Sequence, residues 1–169
     1  MVARIPVFVS APTSLSAAQQ RTYDFIIDLL AGEELEPRAL GRSDFGVDYP
    51  LKEVYSIARH CSGGIILGFA QMRATDVLVK PGTPDEKVRA SLAFPTPWNN
   101  LEAGILFGLK LPLMVFREEG IEGGVFDYGV SDLLVQNLPA DVPDGDSARN
   151  LRLAIKNWVG KVREHYRVY

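Results

Sequence analysis

GIILGF, residues 64–69, holds no polar side chain, and how it is read decides the fold. A continuous apolar run bounded by glycine fits a strand buried on both faces, as at the centre of a parallel sheet. IPVFVS at residues 5–10 and LPLMVF at residues 111–116 are runs of the same kind. Residues 35–40, after the break at Gly32, make a further strand, and residues 133–137 a short last one. Helical patterns lie between them. Ser14 or Ser16 can cap a helix reaching Ala31, with Tyr23, Ile26, Ile27 and Leu30 on one face. Leu51, Val54, Tyr55 and Ala58 mark a second helix that ends near His60 and Cys61, and residues 148–166 a closing one.

This alternation predicts an α/β chain: one domain over residues 1–169, built as a three-layer sandwich around a mainly parallel sheet. Right-handed crossovers reduce the winding to flavodoxin-like or Rossmann-like. Residues 41–50 read as a polar, glycine-bearing loop and residues 70–95 as a long irregular region. Within the latter, TPDEKVRA at residues 83–90 reads as a solvated turn of helix in a mobile loop. A connection of that length is expected to act as a lid.

Composition narrows the function. With 47% hydrophobic and 23% charged residues the chain reads as an ordinary globular protein, and a net charge of −3 leaves no footprint for nucleic acid or an anionic membrane. The lone Cys61 excludes an internal disulfide, and neither His60 nor His165 sits in a metal-ligand motif, so no metal is expected. His60 suits a helix end, and Cys61 beside it faces another way, which argues against a Cys–His nucleophile. No apolar run reaches the roughly 18–20 residues that span a bilayer. The start MVARIPVFVSAPTS lacks a signal-peptide pattern, and cytoplasm is the expected compartment.

In doubly wound sheets, ligands bind beyond the carboxyl ends of the strands where strand order reverses. That rule gathers residues 10–16 after the first strand, with Ser10 and Pro12, residues 38–48 after the second, with Arg38 and Arg42, residues 69–73 after the third, with Phe69 and Gln71, and the start of the helix after residue 95. There is no Walker loop and no GxGxxG. SAPTSLS at residues 10–16 instead offers hydroxyls and a helix amino terminus that could hold a phosphate or a ribose hydroxyl. Arg38 and Arg42 either neutralise such a phosphate or stay solvated.

Glu102 is the only charged side chain between Arg89 and Lys110, in SLAFPTPWNNLEAGILFGL. Thr96 can cap this helix, Pro97 suits its first position, and Trp98, Leu101, Ile105 and Leu109 recur at helical spacing. A carboxylate on so apolar a helix must find a hydrogen-bond partner, a ligand or a raised pKa. Trp98, one turn earlier, shares its face. Either Glu102 is a site carboxylate, or it escapes to solvent at the rim of the core.

VFVSAPTSL (residues 7–15), GGIILGF (63–69) and PTPWNNLEAGILFGLKLPLMVF (95–116) resemble the Rossmannoid superfamily that joins TIR domains to nucleoside 2-deoxyribosyltransferases. The resemblance covers roughly residues 5–116. Trp98 and Glu102 match the Trp and glutamate of TIR members that cleave the nicotinamide–ribose bond of NAD. Glu102, Gly104, Leu111 and Pro112 are similar to the segment that carries the nucleophilic glutamate of the transferases. The transferases' aspartate after the third strand and Gly–Thr pair before the glutamate are here Phe69–Gln71 and Trp98–Asn99. The resemblance implies N-glycosidic cleavage, with NAD as substrate rather than cofactor, giving nicotinamide and ADP-ribose or its cyclic form. Glu102 is the implied catalytic residue. Deoxyribosyl transfer, or non-enzymatic nucleotide sensing through self-association or a partner signalling protein, are the alternatives. Trp98 or Phe69 would then stack on the base, Asn99 would orient ribose hydroxyls, and Asp44 or Asp48 could supply a second acid.

Overall fold

The apolar runs form one sheet in the computed structural model, which describes residues 4–42, 44, 46–129 and 135–168. In chain order the elements are β1 (Ile5–Ser10), α1 (Ala17–Gly32), β2 (Leu35–Arg38), α2 (Pro50–Ala58), β3 (Gly64–Gly68), β4 (Met72–Val79), β5 (Lys87–Phe94), α3 (Pro97–Gly108), β6 (Leu113–Arg117), β7 (Val135–Asn137) and α4 (Gly145–Val168). The sheet runs β2-β1-β3-β6-β7 with every pairing parallel, so the 64–69 run sits at its centre. With β4 and β5 set aside, this is the 2-1-3-4-5 order of flavodoxin-like winding. Of the last strand expected at 133–137, residues 133 and 134 lie outside the described residues.

Successive side chains of a strand point to opposite faces, and here both faces are covered. Val7, Val9, Ile65, Leu67, Met114 and Phe116 pack with Ile26 and Leu30 of α1 and with Ile155, Trp158 and Val162 of α4. Phe8, Ile66 and Val115 pack on the other side with Val54 and Ala58 of α2 and Ala103 and Leu106 of α3. The result is three layers, with each large buried side chain contributing about 1.5–3 kcal/mol. The buried Trp158 indole is satisfied by donating to the Pro112 carbonyl at 3.0 Å. Gly64 lets α3 press close on β3: a Cβ there would lie 2.6 Å from Leu106 Cδ1.

Caps fix where the helices start. The Ser16 hydroxyl accepts from Gln19 N at 3.2 Å while Gln19 Oε1 accepts from Ser16 N at 3.0 Å, a capping box of the kind worth about 1 kcal/mol. Gln19 Nε2 also donates to the Ala70 carbonyl (3.2 Å) and to Glu118 (3.0 Å to Oε2), which in turn accepts from Ala70 N at 2.6 Å. That clamp ties the start of α1 to the chain leaving β3 and β6. Thr96 caps α3 through Trp98 N at 3.3 Å, with Pro97 at the first helical position.

Three expectations need correction. Residues 70–95 are not irregular: β4 and β5 pair antiparallel from Met72↔Phe94 to Val79↔Lys87. TPDEKVRA is no helical turn but the end of the hairpin turn and the start of β5, with positive φ at Lys80 and Gly82 turning the chain. The run of PDEK charges imitates a helix surface, and Asp76 interrupts the alternation that would have marked β4. Second, α3 buries Asn99, Glu102, Ala103 and Leu106, while Trp98 and Leu101 are 41% and 44% exposed. The few polar residues of α3, Asn99, Asn100 and Glu102, fall together in the first half of the helix and do not mark a polar face, so the stripe through 98, 101, 105 and 109 does not fix its rotation. Third, β2 ends at Arg38, and Leu40 makes only an isolated bridge to Asp44. No helix among the described residues is long and apolar enough to cross a membrane.

Candidate active site

The chain leaves β1 for β2 on one side of the sheet and passes from β3 to β6 on the other, so order reverses between β1 and β3. A cleft of about 390 Å³ opens at their carboxyl ends, within the size range of small-ligand sites. Its wall comes from Pro12, Thr13 and Ser14 after β1, Gly41 after β2, Gln71 at the base of the hairpin, and Thr96, Trp98 and Glu102 around the start of α3. Trp98, 41% exposed, borders the cleft from the start of α3.

Glu102 is 9% exposed and reaches the cleft from the inner face of α3. Burial pushes its pKa up from 4.5 to about 7, opposed by a hydrogen bond from the Ser10 side chain. Among the described lining residues it is the only ionisable one, so no cation compensates it. Ser10 is 1% exposed and lies on the same strand face as Phe8, which turns it toward α3. Asn99, completely buried, donates from Nδ2 to Ser10 Oγ at 2.8 Å, and the same nitrogen lies 3.4 Å from the Leu67 carbonyl.

Not every expected residue reaches the cleft. Phe69 is fully buried against α1 and α4, on the strand face opposite Glu102, and offers no stacking surface. Asn99 faces the sheet and not the cleft wall, so the expected ribose contact gives way to its bond with Ser10. Arg42 stands behind the first loop, where it donates to the Pro12 carbonyl at 2.7 Å and lies 4.3 Å over the Tyr23 ring. Arg38 pairs with Asp44, and Asp48 with Lys52, so neither aspartate stands in the cleft as a second acid. Ser10, Pro12, Gln71, Trp98 and Glu102 are the sequence-derived residues gathered at the cleft or directly against it. Gly41 lies in the gathered second loop, whereas Pro50 and the wall role of Thr96 were missed. Thr96 carried a signal, its place next to the helix start, but was read only as a cap.

At the opposite end of the sheet His60, Cys61 and His165 border one surface hollow. Burial pushes the Cys61 thiol up to about 12, which removes it as a nucleophile near neutrality. His60 Nδ1 lies 2.7 Å from the Ser56 carbonyl, closing α2. The described residues contain no group of His, Cys, Asp and Glu side chains that could hold a metal ion.

Comparison with protein-family models and with curated proteins finds no match. Among solved structures the chain is similar to a CMP N-glycosidase, BcmB, of Clostridium botulinum, with a TM-score of 0.52 and 13% identity over 90% of this chain and 98% of that one. At that identity the likeness is one of fold.

Proposed function

We propose that this chain cleaves the N-glycosidic bond of a nucleotide, with Glu102 as the catalytic carboxylate and NAD as substrate. The observation that carries the reading is a buried carboxylate, without a cationic partner among the described residues, on the wall of a cleft at the switch point. Such a group lacks a positive charge, and the reaction moves one onto the ribosyl carbon. As the bond between C1′ and the pyridinium nitrogen breaks, its electron pair neutralises the ring, and the ribosyl carbon becomes cationic. A unit charge about 4 Å from a carboxylate gains about 4 kcal/mol at an effective dielectric constant near 20. Because the pyridinium is already cationic in the ground state, only part of this is differential, and about three powers of ten in rate is its upper bound. Water then attacks C1′ and gives its proton to Glu102, which passes it to solvent, so NAD and water yield nicotinamide, ADP-ribose and a proton.

NAD fits because nicotinamide leaves without protonation, and the described wall offers no second acid. Trp98 supplies a face on which a ring can stack. A second reading, release of a neutral base from a nucleoside monophosphate, is favoured by the likeness to the CMP N-glycosidase. It requires a proton source beyond Glu102. Incubating the purified chain separately with NAD, CMP and a deoxynucleoside, and separating the products by chromatography, distinguishes these. Nicotinamide release supports the first reading and cytosine release the second. Base exchange between deoxynucleosides would indicate deoxyribosyl transfer. Inertness toward all three, with a melting temperature raised by one of them, would point to nucleotide sensing.

A further inference from the structure

We propose that two copies of this chain pair by exchanging arms: the β4–β5 ribbon of each lays its apolar face on the outer ridge of α3 of the other. The ribbon stands off the body of the molecule. Apart from its root, where Ala93 bridges to Ile121, it makes no extensive contact with another helix or strand among the described residues. A two-stranded ribbon on its own is marginal in water and needs a cover for its apolar side.

The register shows which side that is. β5 holds no residue with positive φ and alternates throughout, so Phe94, Leu92 and Val88 share one face, and pairing adds their partners Met72, Ala74 and Leu78. The opposite face carries Arg73, Lys87 and Arg89, and Arg89 pairs with Glu122 at 2.9 Å, so the charged side leans on the body. The apolar side is turned to solvent, with Met72, Leu78, Val88 and Phe94 all exposed. Edge pairing is not the route, because Asp76, at φ 52°, breaks the free edge of β4 in its middle.

The recipient surface is α3. Its one charged side chain, Glu102, is buried, while Trp98, Leu101 and Phe107 are exposed. With Gly104 these follow one another at three-residue spacing along a single ridge. A Cβ at Gly104 would meet nothing within 4 Å, so no neighbour among the described residues requires a glycine there. A mid-helix glycine weakens the helix, whereas a strand crossing it at van der Waals distance gains from the missing side chain. The sizes match, since eight-residue strands run about 27 Å and a twelve-residue helix about 18 Å.

Area decides between the arrangements. At roughly 100 Å² for each half-exposed large side chain, the ribbon offers on the order of 400 Å² and α3 on the order of 300 Å². Either surface meeting its own counterpart hides about 800 Å² or less in all, short of the roughly 1,200 Å² of the smallest stable interfaces. Reciprocal exchange hides about 1,400 Å² and closes as a twofold dimer. Trp98 belongs to both this ridge and the cleft wall, so a docked arm abuts the cleft of its partner.

Sedimentation equilibrium of the purified chain tests the pairing. The wild type is expected to sediment as a dimer at about 10 μM. Leu78→Ser combined with Val88→Ser, both exposed and outside the core, is expected to raise the dimer Kd at least about tenfold. Gly104→Gln, a better helix former with room in its own chain, is expected to do the same, with circular dichroism checking each fold. If the double arm variant does not fold, Gly104→Gln decides. The arrangement is read by mixing a Val88→Cys chain with a Leu101→Cys chain and adding a short bismaleimide, Cys61 being buried. Exchange predicts links between unlike variants. A chain that stays monomeric up to about 100 μM, a dimer indifferent to the arm and Gly104 substitutions, or links between like variants only, overturns the proposal.

Discussion

Replacing Glu102 by glutamine should stabilise the folded chain above neutrality and leave it unchanged in acid. In the unfolded chain the carboxyl ionises near its ordinary value of 4.5, whereas in the fold burial holds it protonated up to about 7. Below the first value both states are protonated and the group contributes nothing to the pH dependence. Between the two the unfolded state alone gains from ionising, so stability falls as pH rises. Above about pH 7 the deficit is complete. At about 1.4 kcal/mol per pH unit, a rise from 4.5 to about 7 costs about 3 kcal/mol. Glutamine removes that deficit and can still accept from Ser10, although its own amide N–H groups must be satisfied, so about 3 kcal/mol is the upper bound. For a domain of this size that is a rise in Tm of up to about 6–12 °C at about pH 8, fading to nothing near pH 4. Thermal unfolding of both proteins at a series of pH values, followed by circular dichroism, reads it directly. Equal melting curves throughout, or a glutamine variant less stable above neutrality, would refute the picture of a buried, uncompensated carboxylate.

If Glu102 must be ionised to act, kcat/KM should rise with pH and level off, with an apparent pKa of about 7; a pH–rate profile that is flat or falls across neutrality contradicts this. Trp98→Ala should raise KM by roughly tenfold and leave kcat nearly unchanged, because loss of a stacking face weakens ground and transition states alike. Its melting temperature should hardly move, since the side chain is 41% exposed. Gly64→Ala should cost about 1–3 kcal/mol in urea unfolding, because the new methyl meets Leu106 Cδ1 at 2.6 Å and α3 must shift.

The fold was readable because a sheet covered on both faces writes its strands as continuous apolar runs, and β1, β3 and β6 are such runs. The β4–β5 ribbon was not, since its residues are mostly exposed and no core imposes a pattern on them. Glu102 announced itself by being the one charge in an apolar helix. What the sequence could not supply was rotation and parity. Phe69 follows the odd-numbered face of β3 into the α1–α4 core, and α3 turns Asn99 toward the sheet and away from the ribose contact expected of it. Arg42 looked like an anion ligand because its carbonyl and aromatic partners, Pro12 and Tyr23, are 30 and 19 residues away along the chain.

The rate of nicotinamide release from NAD by wild type and by Glu102→Gln, with melting curves recorded on the same preparations, tests the central claim most directly. The account predicts release by the wild type and a fall of about 10²- to 10³-fold in the variant, with a fold as stable or more so. An active wild type whose rate survives the substitution would contradict it.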